Sequence, residues 1–224
     1  MNYTFQFSVV FEQLPYLLAG AIVTLEVAFL SFWLGAVIGL FGALAKLRGG
    51  RILRGIVNAY VVFFTNTPAL VQIFFLFYAL PDVGILLDPF TAVVIGMTVN
   101  TGAYLTEILR GGILSVRRAE LESAEVLGMS HTQTLRYVIL PHIAKTLYAP
   151  LSNFFIWLVL GSSMAAIFGV EELTGRAINI STSNLRTIET FSVVAGIYIL
   201  LTVIASAALA LVGRWAFRVT ARIF

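Results

Sequence analysis

Residues 117–141 read RRAELESAEVLGMSHTQTLRYVILP, a polar island inside an otherwise oily chain. Leu121, Ala124 and Leu127 recur at helical spacing, so 118–127 is predicted as a short helix with one apolar stripe and an acidic face of Glu120, Glu122 and Glu125. Gly128 supplies the chain reversal after it, since a residue just past a helix end favours the left-handed region. Ser130 with Gln133 three residues on forms a capping box, in which each side chain satisfies a free backbone donor, and this predicts a second short helix. Pro141 is expected to end that helix. Neither, at roughly ten residues, crosses a bilayer that needs about 20, so both are expected outside the hydrocarbon.

Outward from this island the composition is that of a membrane protein: 59% hydrophobic and 11% charged residues, with a mean hydropathy of +0.96. Charges leave five windows free, 27–45, 55–81, 89–106, 146–170 and 190–213, each about the length of a spanning helix. The first extends backward through Glu26 to about Pro15. The expected fold is therefore all-α: one membrane domain over 1–224, with spans near 16–45, 57–80, 89–109, 147–169 and 190–212 and the polar loop at 117–141. The opening residues lack the basic start and small-residue cleavage site of a signal peptide and are read as mature protein.

Orientation follows from the bases. Lys46, Arg48, Arg51 and Arg54 lie between windows one and two, Arg110, Arg117, Arg118, Arg136 and Lys145 between three and four, and Arg214, Arg218 and Arg222 after the fifth. Only Arg176 and Arg186 of the 14 basic residues fall on the other side. The positive-inside rule places the N-terminus outside and the C-terminus in the cytoplasm. A short helix around 171–180 is expected at the outer mouth.

Several function classes are excluded or disfavoured. The bases are spread over three loops with no soluble module to present them, so nucleic acid is not an expected partner. There is no cysteine, hence no thiolate metal site, and two histidines are too few for a His-rich one. Lys145 is the one Lys followed by Ser or Thr, and residues 139–144 before it contain no glycine, so there is no phosphate-binding loop. His131 and His142 lie beside no nucleophile and read as ordinary interface or solvent residues. An interfacial helix lying on lipid usually carries bases on its polar face; Glu120, Glu122 and Glu125 would be repelled by anionic lipid, so a protein partner is expected for the loop.

Polar groups inside the spans are the second set of candidates. Glu26 is costly within a spanning segment unless it reaches the outer interface, pairs with a partner subunit or faces a pathway. Asn100 and Tyr104 share a helix face at i, i+4, with Thr101 beside them. Thr67-Pro68 and Gln72 form either a packing kink with a hydrogen-bonded amide or part of a pathway. Interhelical hydrogen bonds alone account for such groups as well as substrate contact does. Glu107, close in sequence to Arg110, reads as half of a structural ion pair.

The polar loop resembles the Glu-Ala-Ala signature loop of the membrane subunits of ABC importers: Glu122, Ser123 and Ala124, then Gly128 six residues after the Glu, then Val138, Leu140 and Pro141, with Ser for the middle Ala. The run Asn100, Gly102, Ala103, Tyr104, Glu107, Ile108, Arg110, Gly111, Gly112 and Ile113 is similar to that of the branch importing polar amino acids, as is Thr67-Pro68-Ala69-Leu70-Val71-Gln72. The resemblance implies a five-helix type I importer permease in a bacterial inner membrane, working as a dimer with itself or a related chain. It implies two cytoplasmic ATPase subunits holding ATP and Mg, an extracytoplasmic solute-binding protein and an amino-acid substrate. Coupling to the ATPase would fall to Glu120, Glu122, Ala124, Glu125, Gly128, Met129, Ser130 and Pro141. The pathway would be lined by Glu26, Thr67, Gln72, Asn100, Thr101, Tyr104, Ser162 and Ser163. Two charges common among relatives are absent, with Thr65 and Leu160 in their places, which makes a division of labour with a second permease chain plausible. The competing expectations are a passive channel or ion-coupled carrier, which has no need of the acidic loop, and a membrane anchor for a redox complex, which would want haem-ligating His within spans.

Overall fold

The computed structural model describes residues 4–217, and the regular structure among them is all helical, with no strand. Ten α-helices follow one another: α1 Phe7–Phe11, α2 Leu14–Arg48, α3 Arg51–Thr65, α4 Ala69–Phe74, α5 Pro89–Leu114, α6 Arg118–Val126, α7 His131–Thr134, α8 Leu140–Gly161, α9 Leu173–Asn184 and α10 Thr187–Phe217. Among the described residues four helical stretches are long and apolar enough to cross a membrane, Leu14–Arg48, Pro89–Leu114, His131–Phe168 and Thr187–Trp215. A fifth span results if Arg51–Thr65 and Ala69–Val83 count as one broken crossing, bent by 102°. Arg218 and Arg222, used in the orientation argument, lie outside the described residues.

The break in the second expected span has a local cause. Proline disfavours the α region for the residue before it, so Thr67 cannot extend α3. Asn66 leaves the helix at φ −104°, ψ 5°, and Pro68, extended at φ −61°, ψ 134°, becomes the N-cap of α4. The span expected near 57–80, with Thr67-Pro68 as a possible kink, is two pieces, the second running through a π turn at Phe75–Ala79 into a 3-10 turn at Leu80–Val83.

The chain forms two compact units. One comprises the N-terminal stretch through Trp33 with 68–98 and 155–205; the other comprises 34–67, 99–154 and the stretch from Ser206 on. The long helices α2, α5, α8 and α10 each contribute to both. In the first unit Val27, Ala28, Ile73, Val93, Leu158 and Val159 are buried together, with Phe32 meeting Phe155 edge-on at 5.4 Å. A second cluster joins Leu17 and Ala21 to Leu173, Ala177, Val194 and Ile197.

In the second unit a glycine ridge sets the packing. Gly35, Gly39 and Gly42 share one face of α2, and a Cβ on them would come within 2.5 Å of Thr101, 2.7 Å of Leu105 and 2.3 Å of Thr106. Small residues let helix backbones approach closely where lipid offers no hydrophobic drive for association. The C-terminal ends of α2 and α5 are then tied by ions: Glu107 pairs with Lys46 and, at 2.7 Å, with Arg110. The Arg110 pairing is as expected from sequence; Lys46, 61 residues away, is the addition.

Candidate functional site

Within the second unit the polar loop folds as a short helix, a left-handed turn and a capped helix start. The helix α6 ends in a pair of reversed hydrogen bonds: Gly128 N–H donates to the Glu125 carbonyl at 2.9 Å and Met129 N–H to the Ala124 carbonyl at 3.0 Å. That double closure requires a left-handed residue between them, and Gly128 sits at φ +68°. Ser130 then caps α7: its backbone N–H donates to Gln133 Oε1 at 2.8 Å, and Gln133 N–H donates to Ser130 Oγ at 3.4 Å.

One expectation fails here. Pro141 does not end the second helix. The π turn Leu135–Ile139 leads straight into α8, and the whole of His131–Phe168 runs as one helical span. Proline within a helix lacks an N–H and clashes with the carbonyl four residues back; Pro141 follows directly on the wider π turn, where the regular i→i−4 ladder is already interrupted. Of the apolar stripe of α6, Ala124 is 2% exposed and Leu127 78%, and Val126 beside it is 88% exposed. The end of α6 therefore presents bare aliphatic side chains beside the exposed Glu122 and Glu125, while Glu122 pairs along the helix with Arg118 at 3.4 Å.

Glu120 behaves differently from the other two acids. It is half-buried, and its Oε2 lies 3.1 Å from His142 Nδ1 in the first turn of α8. His142 Nε2 in turn lies 3.2 Å from the Ser115 hydroxyl, which donates to the Gly112 carbonyl at 2.7 Å. Sequence alone had left His142 without a role; nothing in the spacing from Glu120 signals a contact that depends on how the loop folds back.

The pathway candidates divide by what holds them. Asn100 Nδ2 donates to the Phe64 carbonyl at 2.9 Å and the Tyr104 hydroxyl to the Thr65 carbonyl at 3.2 Å, so both close the end of α3. Thr67 Oγ1 donates back to the Phe63 carbonyl at 2.9 Å. Thr101 is fully buried against Gly35. In the first unit, Gln72 is buried, Ser162 is buried and bonded to the Val159 carbonyl at 2.8 Å, and Ser163 is half-buried. Glu26 is exposed on the stripe of α2 that also shows Ile22, Phe29 and Trp33.

The first unit holds a polar centre that the sequence reading missed. Glu172, fully buried, caps α9: its Oε1 accepts from Gly175 N–H at 2.9 Å and its Oε2 from the hydroxyls of Thr24 and Tyr198, each at 3.0 Å. Burial pushes the carboxyl above the usual range, against the lowering pull of those donors. Beside it the Arg176 guanidinium lies 4.5 Å over the Tyr16 ring and donates to the Tyr16 carbonyl at 2.9 Å. The helix α9 is thereby pinned to α2, and it runs Leu173–Asn184 where 171–180 was expected. No group of three or more metal-ligating side chains occurs among the described residues.

Comparison with known proteins places this geometry. Residues 35–219 match the family model of the binding-protein-dependent transport system inner membrane component. The glutamine transport system permease protein GlnP of Escherichia coli (strain K12) is 36% identical over 204 residues, covering 90% of this chain and 93% of its own. The L-cystine transport system permease protein TcyB of Bacillus subtilis (strain 168) is 40% identical over 174 residues, 78% of this chain and 74% of its own. Among solved structures, one described as an amino acid ABC transporter with histidines superposes with a TM-score of 0.87 at 32% identity, covering 95% of this chain and 99% of that one. The MetNI methionine ABC transporter in an inward-facing form shares the fold at a TM-score of 0.73 and 20% identity, over 91% of this chain and 97% of that one.

Proposed function

The chain belongs to the family of binding-protein-dependent transport system inner membrane components, and from that premise we propose that it is the membrane-spanning permease subunit of an ATP-driven importer of polar amino acids. The observation that carries the reading is the loop at α6: a nine-residue helix, too short to span, that leaves Val126, Leu127, Glu122 and Glu125 exposed at the end of a bundle of spans. A carrier or channel has no use for such a surface. A cytoplasmic ATPase does, because apolar side chains rimmed by acids suit a groove that offers basic or polar groups.

In this reading the set Glu120, Glu122, Ala124, Glu125, Gly128, Met129, Ser130 and Pro141 forms or shapes the docking element. Two ATPase subunits bring the ATP and Mg, an extracytoplasmic binding protein delivers the amino acid, and a second permease chain, the same or related, completes the pathway. Closure of the ATPases on ATP moves the docking element, and the spans shift between inward-facing and outward-facing states. Thr67, Gln72, Thr101, Ser162, Ser163 and Glu26 are proposed to line the pathway, with Asn100 and Tyr104 serving it by fixing the end of α3. The base distribution supports an outside N-terminus and a cytoplasmic C-terminus in the inner membrane.

The test is reconstitution. Co-purified with an ATPase and a binding protein in proteoliposomes, the permease is expected to give amino-acid uptake that requires ATP, and amino acid on the binding protein should stimulate hydrolysis. Uptake driven by an ion gradient without ATP would overturn the reading in favour of a carrier.

A further inference from the structure

We infer that His142 is the brace through which α6 pushes on the rest of its unit, a positioning residue for coupling; this rests on the reading of α6 as the ATPase-docking helix. A carboxylate only accepts, so the 3.1 Å contact between Glu120 Oε2 and His142 Nδ1 places a hydrogen on Nδ1. The other ring nitrogen meets the Ser115 hydroxyl at 3.2 Å, and that hydroxyl is anchored on the Gly112 carbonyl at 2.7 Å.

His142 thus links three pieces of structure: the residue after α5 through Ser115, the first turn of α6 through Glu120, and the start of α8, on which it sits. The rest of α6 packs through Ala124 and against the π turn Leu135–Ile139. Ala124 is its one buried side chain, and the chain link at 115–117 is short and irregular. A force applied to Glu122, Glu125, Val126 or Leu127 on the outer face of α6 therefore reaches α8 through Glu120 and His142 as well as through the backbone. His142 sits inward of the docking surface, half-buried, so it contributes little to holding a partner and much to what the partner's movement does.

The experiment uses the permease with its ATPase in proteoliposomes and reads two quantities: ATPase retained on the complex, and uptake per ATP hydrolysed. His142→Ala is expected to retain the ATPase at wild-type level and to lower uptake per ATP at least threefold. Glu120→Gln is expected to lose about as much, and the double variant no more than either single, because residues acting as one contact are non-additive. His142→Gln, whose amide N–H reaches a carboxylate, should restore part of the coupling. Unchanged uptake per ATP in His142→Ala, or losses that multiply in the double variant, would overturn the brace. If His142→Ala does not assemble, His142→Gln against Glu120→Gln gives the same comparison. Failure of the docking reading itself looks different: Glu122→Lys and Gly128→Val would then keep both ATPase retention and uptake.

Discussion

Asn100 donates its side-chain amide to the carbonyl of Phe64 at 2.9 Å, across 36 residues of sequence, at the point where α3 stops. The last carbonyls of a helix have no partner within it, and in a membrane no water reaches them. With Tyr104 on Thr65, Asn100 closes that end before the chain turns at Pro68. Asn100→Leu is expected to destabilise the permease by about 1 kcal/mol, the net worth of one hydrogen bond, and Tyr104→Phe by less. Thermal unfolding in detergent measures both. If stability is unchanged while the apparent KM for uptake rises, the amide faces substrate and its bond to Phe64 is incidental.

Glu172 makes stability depend on pH in a defined direction. Its carboxyl is raised by burial above the unfolded value of about 4.3. A raised acid contributes stability below its unfolded pKa and loses it as pH rises through the folded value. Wild type should therefore lose stability relative to Glu172→Gln as pH is raised from about 4 toward 8. The opposite trend would mean that the Gly175, Thr24 and Tyr198 donors outweigh the cost of burying the charge.

The base distribution gives a topological test. A reporter active only outside the cytoplasm should be active when fused after Asp82 or Arg176, and silent after Arg51 or Arg218. The reverse pattern would invert the proposed orientation and remove the docking loop from the ATPase side.

What was legible in the sequence was what neighbours along the chain decide. Gly128 and the Ser130–Gln133 box are local chemistry, and the structure has both as expected. The hydrophobic windows locate the spans because every residue in a lipid-facing helix pays for its polarity individually. What was not legible depends on partners far away or on none. Pro141 reads as a stop until the π turn before it is known. Leu127 falls on the apolar stripe by its spacing, yet it is 78% exposed among the described residues. Glu172 reads as one more loop acid; its buried state is set by Thr24 and Tyr198, 148 and 26 residues off.

The turn at Gly128 yields the sharpest test of the loop. A Cβ added at Gly128 meets nothing within 4 Å, so contact does not oppose Gly128→Ala. The whole penalty lies in the backbone, because φ +68° is the left-handed region, where an L residue costs about 1–2 kcal/mol. That predicts a graded series. Gly128→Asn, whose side chain tolerates the left-handed region, should stay close to wild type. Gly128→Ala should be intermediate, and Gly128→Val, β-branched, worst. The loss should appear in coupling before it appears in folding. The bonds that fail are Gly128 N–H to Glu125 and Met129 N–H to Ala124, and these orient the exposed Val126 and Leu127, while the spans do not depend on them. The expected outcome is a Gly128→Val permease that inserts and assembles but retains ATPase weakly or hydrolyses ATP without uptake. If the order Asn, Ala, Val is not seen, with size rather than backbone preference ranking the variants, the turn acts through a surface that the partner covers, and the left-handed conformation is not what coupling requires.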